Sequence, residues 1–415
     1  MHTAAQRIDA REAEGKRLHA LIEQVLRACP VRTPTSMDER EAQRIIADAL
    51  RAEGLEPTFE AFRFNESLYQ NLLLHFGTAS LATLIGQRHA GVAGLLHLLV
   101  AASYLCDNAR FGFLLRRLLP WYSARNLVAT SEARGSGLRH RVVFVAHADA
   151  AFTGKMFETE TVRAATSNPW VKAFPLLGKG TLLATAPLVL VALSELYRHY
   201  ADKPLPALRA LEVLLSVPAL ITAALNLDVV TRHEIVPGAS DNLSGAAALV
   251  LLAARLLPQQ PDDVELVFVL TGAEEASLGG SDALSRDRQP HWDKAKTTVL
   301  AIDTLAGGAL RYLSREGELV AYDVPQDLAE LLHSVAAEDP RFCGLEPFEP
   351  PVGGSDALPF LARGFRAAAI TRVDPEIGAP RNYHQPSDTL DNLDIDEVLV
   401  SLDYIERVCQ RLMTP

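Results

Sequence analysis

The chain is 415 residues long and has a formal net charge of −11, with 48% hydrophobic residues. This length allows one large α/β domain or two ordinary domains with a substantial core. The acidic balance and the lack of a Lys- and Arg-rich stripe exclude nucleic acid as an expected partner, because phosphate binding needs clustered cations. The N-terminus lacks the apolar core of a signal peptide and the four cysteines are scattered, so the sequence predicts a reducing compartment.

The first 64 residues have the texture of an α/β domain. An apolar stripe at helical spacing over residues 18–26 predicts a helix that ends at Pro30. Ser36 and Glu39 match a capping box, which predicts that a second helix begins there. Residues 58–64 alternate between polar and apolar side chains and predict a strand.

Four apolar runs interrupt this texture and have no Asp, Glu, Lys or Arg. They are grouped in two pairs, each with a short polar link, and each pair predicts a helical hairpin. Runs of 15 to 20 residues are only marginally long enough to span a bilayer, so two interpretations stay open. The hairpins span a membrane, or they form a helical subdomain or a dimer interface. The runs are residues 68–87, 89–106, 180–194 and 213–227.

The remaining segments alternate predicted strands with predicted helices. This rhythm indicates an α/β fold with a mostly parallel central sheet flanked by helices, plus the inserted hydrophobic helical hairpins. In such a sheet the ligand site lies at the C-terminal ends of the strands. Strands are predicted at 126–130, 141–146, 264–270, 298–302 and 367–371, and helices at 246–257, 327–337 and 395–413.

Metal-capable residues follow three of these strands. His147 and Asp149 end the first, and residues two apart on a strand face the same side, so Asp149 could orient the imidazole toward a metal. The pair Glu274-Glu275 follows the second strand, and Asp303 follows the third. Taken singly, each has an ordinary explanation as a polar loop, an acidic turn or a helix cap.

Two further candidates complete a set. Asp241 lies in a glycine-flanked turn before a long apolar helix, where helix capping is the simplest explanation. His384 lies in a polar loop near the C-terminus. Together with the residues after the strands they provide five nitrogen or oxygen ligands, the set that two zinc ions need if one carboxylate bridges them. The five are His147, Asp241, Glu275, Asp303 and His384.

The order and context of these motifs resemble the M28 family of co-catalytic zinc aminopeptidases. The resemblance implies a zinc-exopeptidase fold, two Zn²⁺ ions per chain and a peptide substrate. It assigns Asp241 as the bridging ligand and Glu274 as the general base that activates water, with Asp149 orienting His147. His147 and Asp303 would complete one metal site, and Glu275 and His384 the other. The matching motifs are His147-x-Asp149, Asp241-Asn242-x-Ser244-Gly245, Glu274-Glu275, Asp303 and His384 with the Asp388-Thr389 that follows.

The hairpins are departures from the family pattern, and they set the predicted domain boundaries. Residues 1–67, 122–173 and 228–415 are assigned to the peptidase domain, 68–121 to the first insertion and 174–227 to the second. If residues 68–106 and 180–227 associate with a membrane, the placement of basic residues puts the catalytic domain on the cytoplasmic side. The alternative is a soluble cytoplasmic protein. The oligomeric state stays open.

Two other functions compete with the aminopeptidase. One is a glutaminyl-cyclase-like acyl transferase on the same scaffold, and the other is a non-catalytic membrane or interaction protein that retains the fold. Asn242 after the bridging aspartate and the complete ligand set favour the peptidase. The hexapeptide Gly-Gly-Ser-Asp-Ala-Leu occurs at 279–284 and 353–358, where it is typical of turns before helices; Ser355 or Asp356 is a weaker candidate for the substrate pocket.

Overall fold

The computed structural model describes residues 4–135, 137–166, 179–201, 204–342, 344–350 and 353–414. The predicted domain boundary between residues 173 and 174 lies outside them, and the division into a peptidase domain and two insertions stays a prediction.

An eight-stranded sheet forms the centre of the molecule, in the order β1-β2-β4-β3-β5-β10-β6-β9. The four central strands run parallel, and antiparallel pairs occur only toward the two edges. Parallel strands are buried on both faces, which explains why β4 is apolar almost throughout and buried along its whole length. The strands are β1 (Thr58–Phe64), β2 (Tyr122–Ser131), β3 (His140–His147), β4 (Val264–Thr271), β5 (Thr297–Ile302), β6 (Ala309–Leu313), β7 (Arg315–Glu316), β8 (Tyr322–Asp323), β9 (Glu346–Phe348) and β10 (Arg366–Val373).

Helices cover both faces of the sheet, as the alternating pattern predicts. Five helices, α1, α2, α8, α10 and α12, share the larger apolar core, and α9 and α11 cover the opposite face. The helices are α1 (Ala4–Ala28), α2 (Met37–Ala52), α3 (Leu68–Ile85), α4 (Ala90–Asn108), α5 (Thr159–Thr166), α6 (Gly180–Tyr200), α7 (Pro206–Arg232), α8 (Gly245–Leu256), α9 (Gly279–Arg288), α10 (Gln326–Ala336), α11 (Leu358–Ala362) and α12 (Ile395–Met413).

The apolar runs form the four helices α3, α4, α6 and α7, which pack on one another and are called the four-helix unit below. Their shared core includes Phe76, Val100, Leu188 and Ala219, one residue from each helix. The last two helices are longer than the apolar runs within them, at 21 and 27 residues, and they continue through their internal prolines.

The four-helix unit has polar groups inside and apolar groups outside. His97 Nδ1 lies 2.7 Å from Glu195 Oε2, and both side chains are almost fully buried. Arg198 Nη2 lies 2.8 Å from Glu212 Oε2 in the same interior. Among the described residues, all but four of the exposed large hydrophobic side chains lie within 81–118 or 189–227; the four exceptions are Val31, Met37, Phe59 and Tyr122.

Candidate metal centre

The predicted site residues meet at one edge of the sheet because the central strands are parallel. His147 is the last residue of β3, and Asp303 directly follows β5. Glu274 and Glu275 lie in the turn after β4, which pairs in parallel with β3. The C-terminal strand ends therefore place an imidazole and three carboxylates side by side.

Asp241 reaches this edge from the turn before α8. Residues Ala239–Ser244 form a tight turn whose backbone leaves helical geometry at Asp241 and Asn242, and the Asp388 carboxylate accepts hydrogen bonds from the backbone nitrogens of Ser240 and Asp241 at 2.8 and 3.0 Å. Gly245 begins the helix where a side chain could not fit, since a Cβ there would lie 2.6 Å from the Ile302 oxygen. The glycine therefore lets α8 approach the end of β5 closely.

The side chain of Asn242, and not that of Asp241, caps the N-terminus of α8. The Asn242 Oδ1 accepts a hydrogen bond from the Gly245 nitrogen at 3.0 Å, and its Nδ2 donates to the Ile302 oxygen at 2.8 Å. These hydrogen bonds assign the capping contact to Asn242, whereas the Asp241 carboxylate faces the two histidines.

The Asp241 carboxylate lies between the two histidines. Its Oδ1 is 3.2 Å from His147 Nε2, and its Oδ2 is 3.4 Å from His384 Nε2. One carboxylate therefore presents an oxygen to each imidazole, which is the arrangement of a bridging ligand.

The other predicted residues surround this pair. His384 Nε2 lies 3.4 Å from Glu275 Oε1. On the other side, His147 Nε2 lies 3.8 Å from Asp303 Oδ1 and 3.9 Å from Glu274 Oε2. The structure thus brings all five predicted ligands and the predicted base together.

Asp149 contacts both His147 and the Glu274–Glu275 turn. The His147 Nδ1 lies 3.2 Å from the Asp149 backbone oxygen and 3.6 Å from its carboxylate Oδ1. The other carboxylate oxygen accepts a hydrogen bond from the Glu275 nitrogen at 2.9 Å. Contacts at Nδ1 direct the Nε2 of the imidazole toward Asp241.

Two observations indicate that this cluster of histidine and carboxylate side chains can bind a metal ion. His147 Nε2 is buried and, although it lies 3.2 Å from Asp241 Oδ1, the geometry of that contact does not make a hydrogen bond, and no other described residue supplies one; a buried polar nitrogen without a partner is costly. Ligand atoms of His147, Asp241 and Glu275 lie within 4.8 Å of one another, and so do those of His147, Glu274 and Asp303. Imidazole and carboxylate donors at this spacing suit zinc.

The charges of the site point to the same conclusion. Burial raises the pKa of Glu275 to about 8, although His384 counteracts it, and burial raises the pKa of Glu274 well above its ordinary value. Burial also raises the pKa of Asp241, but the contacts with His147 and His384 outweigh it and hold that pKa below its ordinary value. Buried carboxylates of this number need compensation by positive charge, which a metal ion would supply.

Several residues that hold the site were not identified from the sequence. Glu39 was assigned only to a capping box, yet its Oε1 accepts a hydrogen bond from the Ala273 nitrogen at 2.6 Å. Tyr69 on α3 places its hydroxyl 3.5 Å from His384 Nδ1. Arg116 donates to the Ala276 oxygen. The only signal for these residues was the charge or hydroxyl itself, because each contact joins segments that are far apart in the chain.

Ser355 and Asp356, the candidate pocket residues of the second hexapeptide, are buried near the strand ends. Asp356 Oδ2 accepts a hydrogen bond from the Thr271 hydroxyl at 2.7 Å, and the Ser355 hydroxyl donates to Glu316 Oε2 at 2.8 Å. Their role in a substrate pocket stays a prediction.

The fold and the site define a class: an α/β protein with a central sheet flanked by helices, and a cluster of imidazole and carboxylate groups at the C-terminal strand ends. Residues 221–408 match the model of Peptidase family M28. This segment holds Asp241, Glu274, Glu275, Asp303 and His384, and the resemblance to M28 aminopeptidases is confirmed.

One curated relative and several solved structures extend the comparison. The chain is 28% identical over 175 residues to Aminopeptidase YwaD of Bacillus subtilis (strain 168), a match that covers 38% of this chain and 34% of that protein. The match therefore spans about a third of the length of that relative.

The solved structures cover nearly the whole chain at low identity. A zinc aminopeptidase from Bacillus subtilis matches with a TM-score of 0.56 and 13% identity, over 96% of this chain and 94% of that one. An aminopeptidase from Aneurinibacillus sp. strain AM-1 matches with a TM-score of 0.54 and 15% identity, over 96% of this chain and 93% of that one. A glutaminyl cyclase from Bacteroides thetaiotaomicron matches with a TM-score of 0.53 and 16% identity, over 95% of this chain and 96% of that one. These likenesses show the shared fold.

Proposed function

We propose that the protein is a dizinc metallo-exopeptidase, an aminopeptidase that removes N-terminal residues from peptides. The observation that carries the proposal is the position of Asp241, with one carboxylate oxygen toward each histidine. The M28 match over residues 221–408 and the aminopeptidase relative support it.

In the proposed centre His147, Asp241 and Asp303 would hold one ion, and Asp241, Glu275 and His384 would hold the other. The two ions, when bound, polarise the scissile carbonyl and lower the pKa of water. Asp149 keeps the His147 ring oriented through its contacts at Nδ1.

Glu274 is the proposed general base. It takes a proton from the attacking water while the water oxygen bonds to the carbonyl carbon. When the C–N bond breaks, the same carboxyl gives that proton to the leaving amine, so that the products are a free amino acid and a peptide shortened by one residue. Its burial and its position, with Oε2 3.9 Å from His147 Nε2, support this role.

The test combines metal content with hydrolysis. Purified protein is expected to contain close to two zinc ions per chain and to hydrolyse part of a panel of aminoacyl amides until a chelator is added. Glu274→Gln is expected to keep the zinc and lose about 10²- to 10⁴-fold in kcat, the usual contribution of a general base. A zinc-loaded wild type that is inert on a broad panel would count against the proposal.

A second candidate is acyl transfer of the glutaminyl-cyclase type. Glutaminyl cyclases share the fold at TM-scores similar to those of the aminopeptidases. Incubation with a peptide that begins with glutamine separates the two, because the cyclase forms pyroglutamate and ammonia without peptide-bond hydrolysis. The third candidate, a non-catalytic protein, is disfavoured because the structure brings all seven predicted site residues together.

We further propose that the four-helix unit is embedded in a membrane, with the catalytic domain on the cytoplasmic side. Three helical stretches of the described residues are long and apolar enough to cross a bilayer, namely α4, α7 and residues 239–259 around α8; the last is 83% buried inside the protein, against 44% and 28% for the other two. The 19 residues of α4 rise about 28 Å, close to the apolar thickness of a bilayer.

The ends of the four-helix unit support this placement. Tyr197 and Tyr200 are exposed at one end, and Phe111 and Tyr122 are exposed near the catalytic domain, as expected for side chains at the two membrane interfaces. Fractionation of cells is expected to recover the protein with membranes after a carbonate wash. In a variant without the four native cysteines, Arg88→Cys at the tip of the first hairpin is expected to react with a membrane-impermeant thiol reagent added outside the cell; protection of this position from the reagent would indicate the opposite orientation.

A further inference from the structure

The turn that carries Glu274 and Glu275 needs support from outside itself. Ala273 and Ser277 have positive φ angles of 54° and 95°, a region that residues other than glycine adopt at a cost, so that surrounding contacts must stabilise the turn. On its nitrogen side the turn is held by two carboxylates: Glu39 accepts from Ala273 N, and Asp149 accepts from Glu275 N.

The carbonyl side of the turn is held by two arginines that follow α4. Arg116 Nη2 donates to the Ala276 oxygen, and Arg110 Nη1 donates to the Ser277 oxygen at 2.9 Å. Ala276 is the residue directly after Glu275, so that movement of this carbonyl moves the carboxylate that reaches His384.

The Arg116 side chain has one defined position. It is fully buried, its Nε donates to Asn65 Oδ1 at 2.7 Å, and its Nη1 donates to Asp107 Oδ1 at 3.1 Å. The guanidinium also lies over the rings of Phe64 and Phe113, at 4.5 and 5.2 Å from their centroids. A planar fork with this many fixed donors places the Ala276 carbonyl more strictly than one flexible cation could.

Asp107 connects Arg116 to the four-helix unit. It lies in the last turn of α4, and its Oδ2 accepts a hydrogen bond from Asn71 Nδ2 of α3 at 2.9 Å. A continuous series of polar contacts therefore runs from α3 through Asp107 and Arg116 to the Glu274–Glu275 turn.

We infer that Arg116 is a positioning residue for Glu274 and Glu275, supplied by the inserted segment and aligned by Asp107. The inference rests on the proposed function for its catalytic consequence. Its consequence for metal binding and for the turn is independent of the substrate. Through this contact, the four-helix unit forms part of the support of the metal centre.

The experiment compares Arg116→Lys and Arg116→Gln with Arg117→Gln. Arg117 is the neighbouring residue in the same short helix and is exposed, so it controls for loss of one positive charge. Lysine keeps the charge beside Asp107 but cannot bond Asn65, Asp107 and the Ala276 carbonyl in one fixed geometry, and this variant stays informative if glutamine at position 116 prevents folding.

Three measurements are made on full-length protein in detergent micelles: zinc affinity of metal-free protein by competition with a chelating dye, kcat and KM on the best aminoacyl amide, and hydrogen exchange of the 273–278 backbone. Arg116→Lys is expected to bind zinc about 10- to 100-fold more weakly, the usual effect of losing support behind a ligand. It is also expected to lower kcat with little change in KM and to speed exchange in the turn, while Arg117→Gln matches wild type.

The outcomes separate the two proposals. Folded Arg116→Lys and Arg116→Gln proteins with wild-type zinc affinity and wild-type exchange in the turn would overturn the inference and leave the proposed function standing. A wild type that binds zinc but hydrolyses no aminoacyl amide would sink the proposed function, and weaker zinc binding with faster exchange in Arg116→Lys would still support the inference.

Discussion

The sheet domain and the four-helix unit differ in how many polar contacts they bury and how many large apolar side chains they expose. Between the sheet and α8 the interior is apolar, with Phe144 and Phe268 stacked at 5.4 Å, and ion pairs such as Arg27 with Glu23 lie on the surface. The four-helix unit also has an apolar core, but it buries the His97–Glu195 and Arg198–Glu212 contacts and exposes many of its leucines. Apolar burial drives folding only against water, so the two regions suit different surroundings.

The metal centre lies where the two regions meet. Tyr69 lies on α3 and Arg116 follows α4, whereas most of the proposed ligands lie at the ends of the sheet strands. The comparison makes three predictions. Substitution of a proposed metal ligand should abolish activity. Substitution of a buried polar residue should destabilise the four-helix unit, and substitution of an apolar residue on its outer face should weaken membrane binding alone.

The largest effect is expected from Asp241→Ala. Removing the carboxylate between His147 and His384 deprives both proposed metal positions of a shared ligand. Zinc content should fall well below two per chain, and hydrolysis should fall to background, while the sheet stays folded because the turn is held by Asp388. Metal analysis and circular dichroism check this; an active, zinc-replete variant would contradict the assignment of the centre.

The sequence predicts the ligands of this centre well, and for a physical reason. In a parallel sheet the residues after each strand lie at one edge, so that finding the apolar strands also finds His147, Glu274, Glu275 and Asp303. Asp241 and His384 lie outside strands, and the sequence predicts them as ligands only because their residue types complete the five ligands that two zinc ions need. The short strands β6 and β9 were not predicted, because five and three residues carry too little pattern.

The supports of the centre could not be predicted in the same way. Arg116 is 160 residues from its partner Ala276 in the sequence, and Glu39 is 234 residues from Ala273. No local spacing encodes such contacts. The apolar runs have the same ambiguity, since the sequence pattern of a lipid-facing helix and of a buried helix is similar, and the polar interior becomes visible only when the helices are assembled.

The next largest effect is expected from Glu195→Ala. This change leaves His97 Nδ1 without its buried partner, and a buried polar atom that loses its hydrogen bond costs about 1 to 3 kcal/mol. Thermal unfolding in detergent should show the loss. Glu23→Ala is the matched control on the sheet domain, where the exposed pair with Arg27 is worth about 0 to 1 kcal/mol. Equal losses in the two variants would contradict the contrast between the regions.

A more limited effect, on membrane binding alone, is expected from Leu214→Arg on the outer face of α7. Leu214 is 66% exposed, and a cation at the centre of a lipid-facing helix costs about 2.5 to 3.5 kcal/mol on insertion scales. Binding to liposomes should weaken by about 100-fold or more. Met37→Arg is the control, because Met37 is 71% exposed on α2 of the sheet domain and should tolerate the charge. If both variants bind liposomes like wild type, the outer face does not contact lipid.

The smallest effect is expected from Tyr69→Phe, which removes one hydroxyl and leaves the packing of its ring against Phe152 and Phe157. The hydroxyl is 3.5 Å from His384 Nδ1, a long contact, so that it restrains the imidazole only weakly. Zinc affinity should fall by no more than about tenfold, at the low end of the effects known for groups behind a metal ligand.

Tyr122→Phe is the control for this change, because Tyr122 is exposed on β2 and is not among the residues that contact the centre. Zinc titration of both variants in the same detergent checks the difference. A loss for Tyr69→Phe alone shows that α3, an apolar helix of the four-helix unit, restrains a ligand of the metal centre. Unchanged affinity would confine the link between the two regions to Arg116 and the Glu274–Glu275 turn.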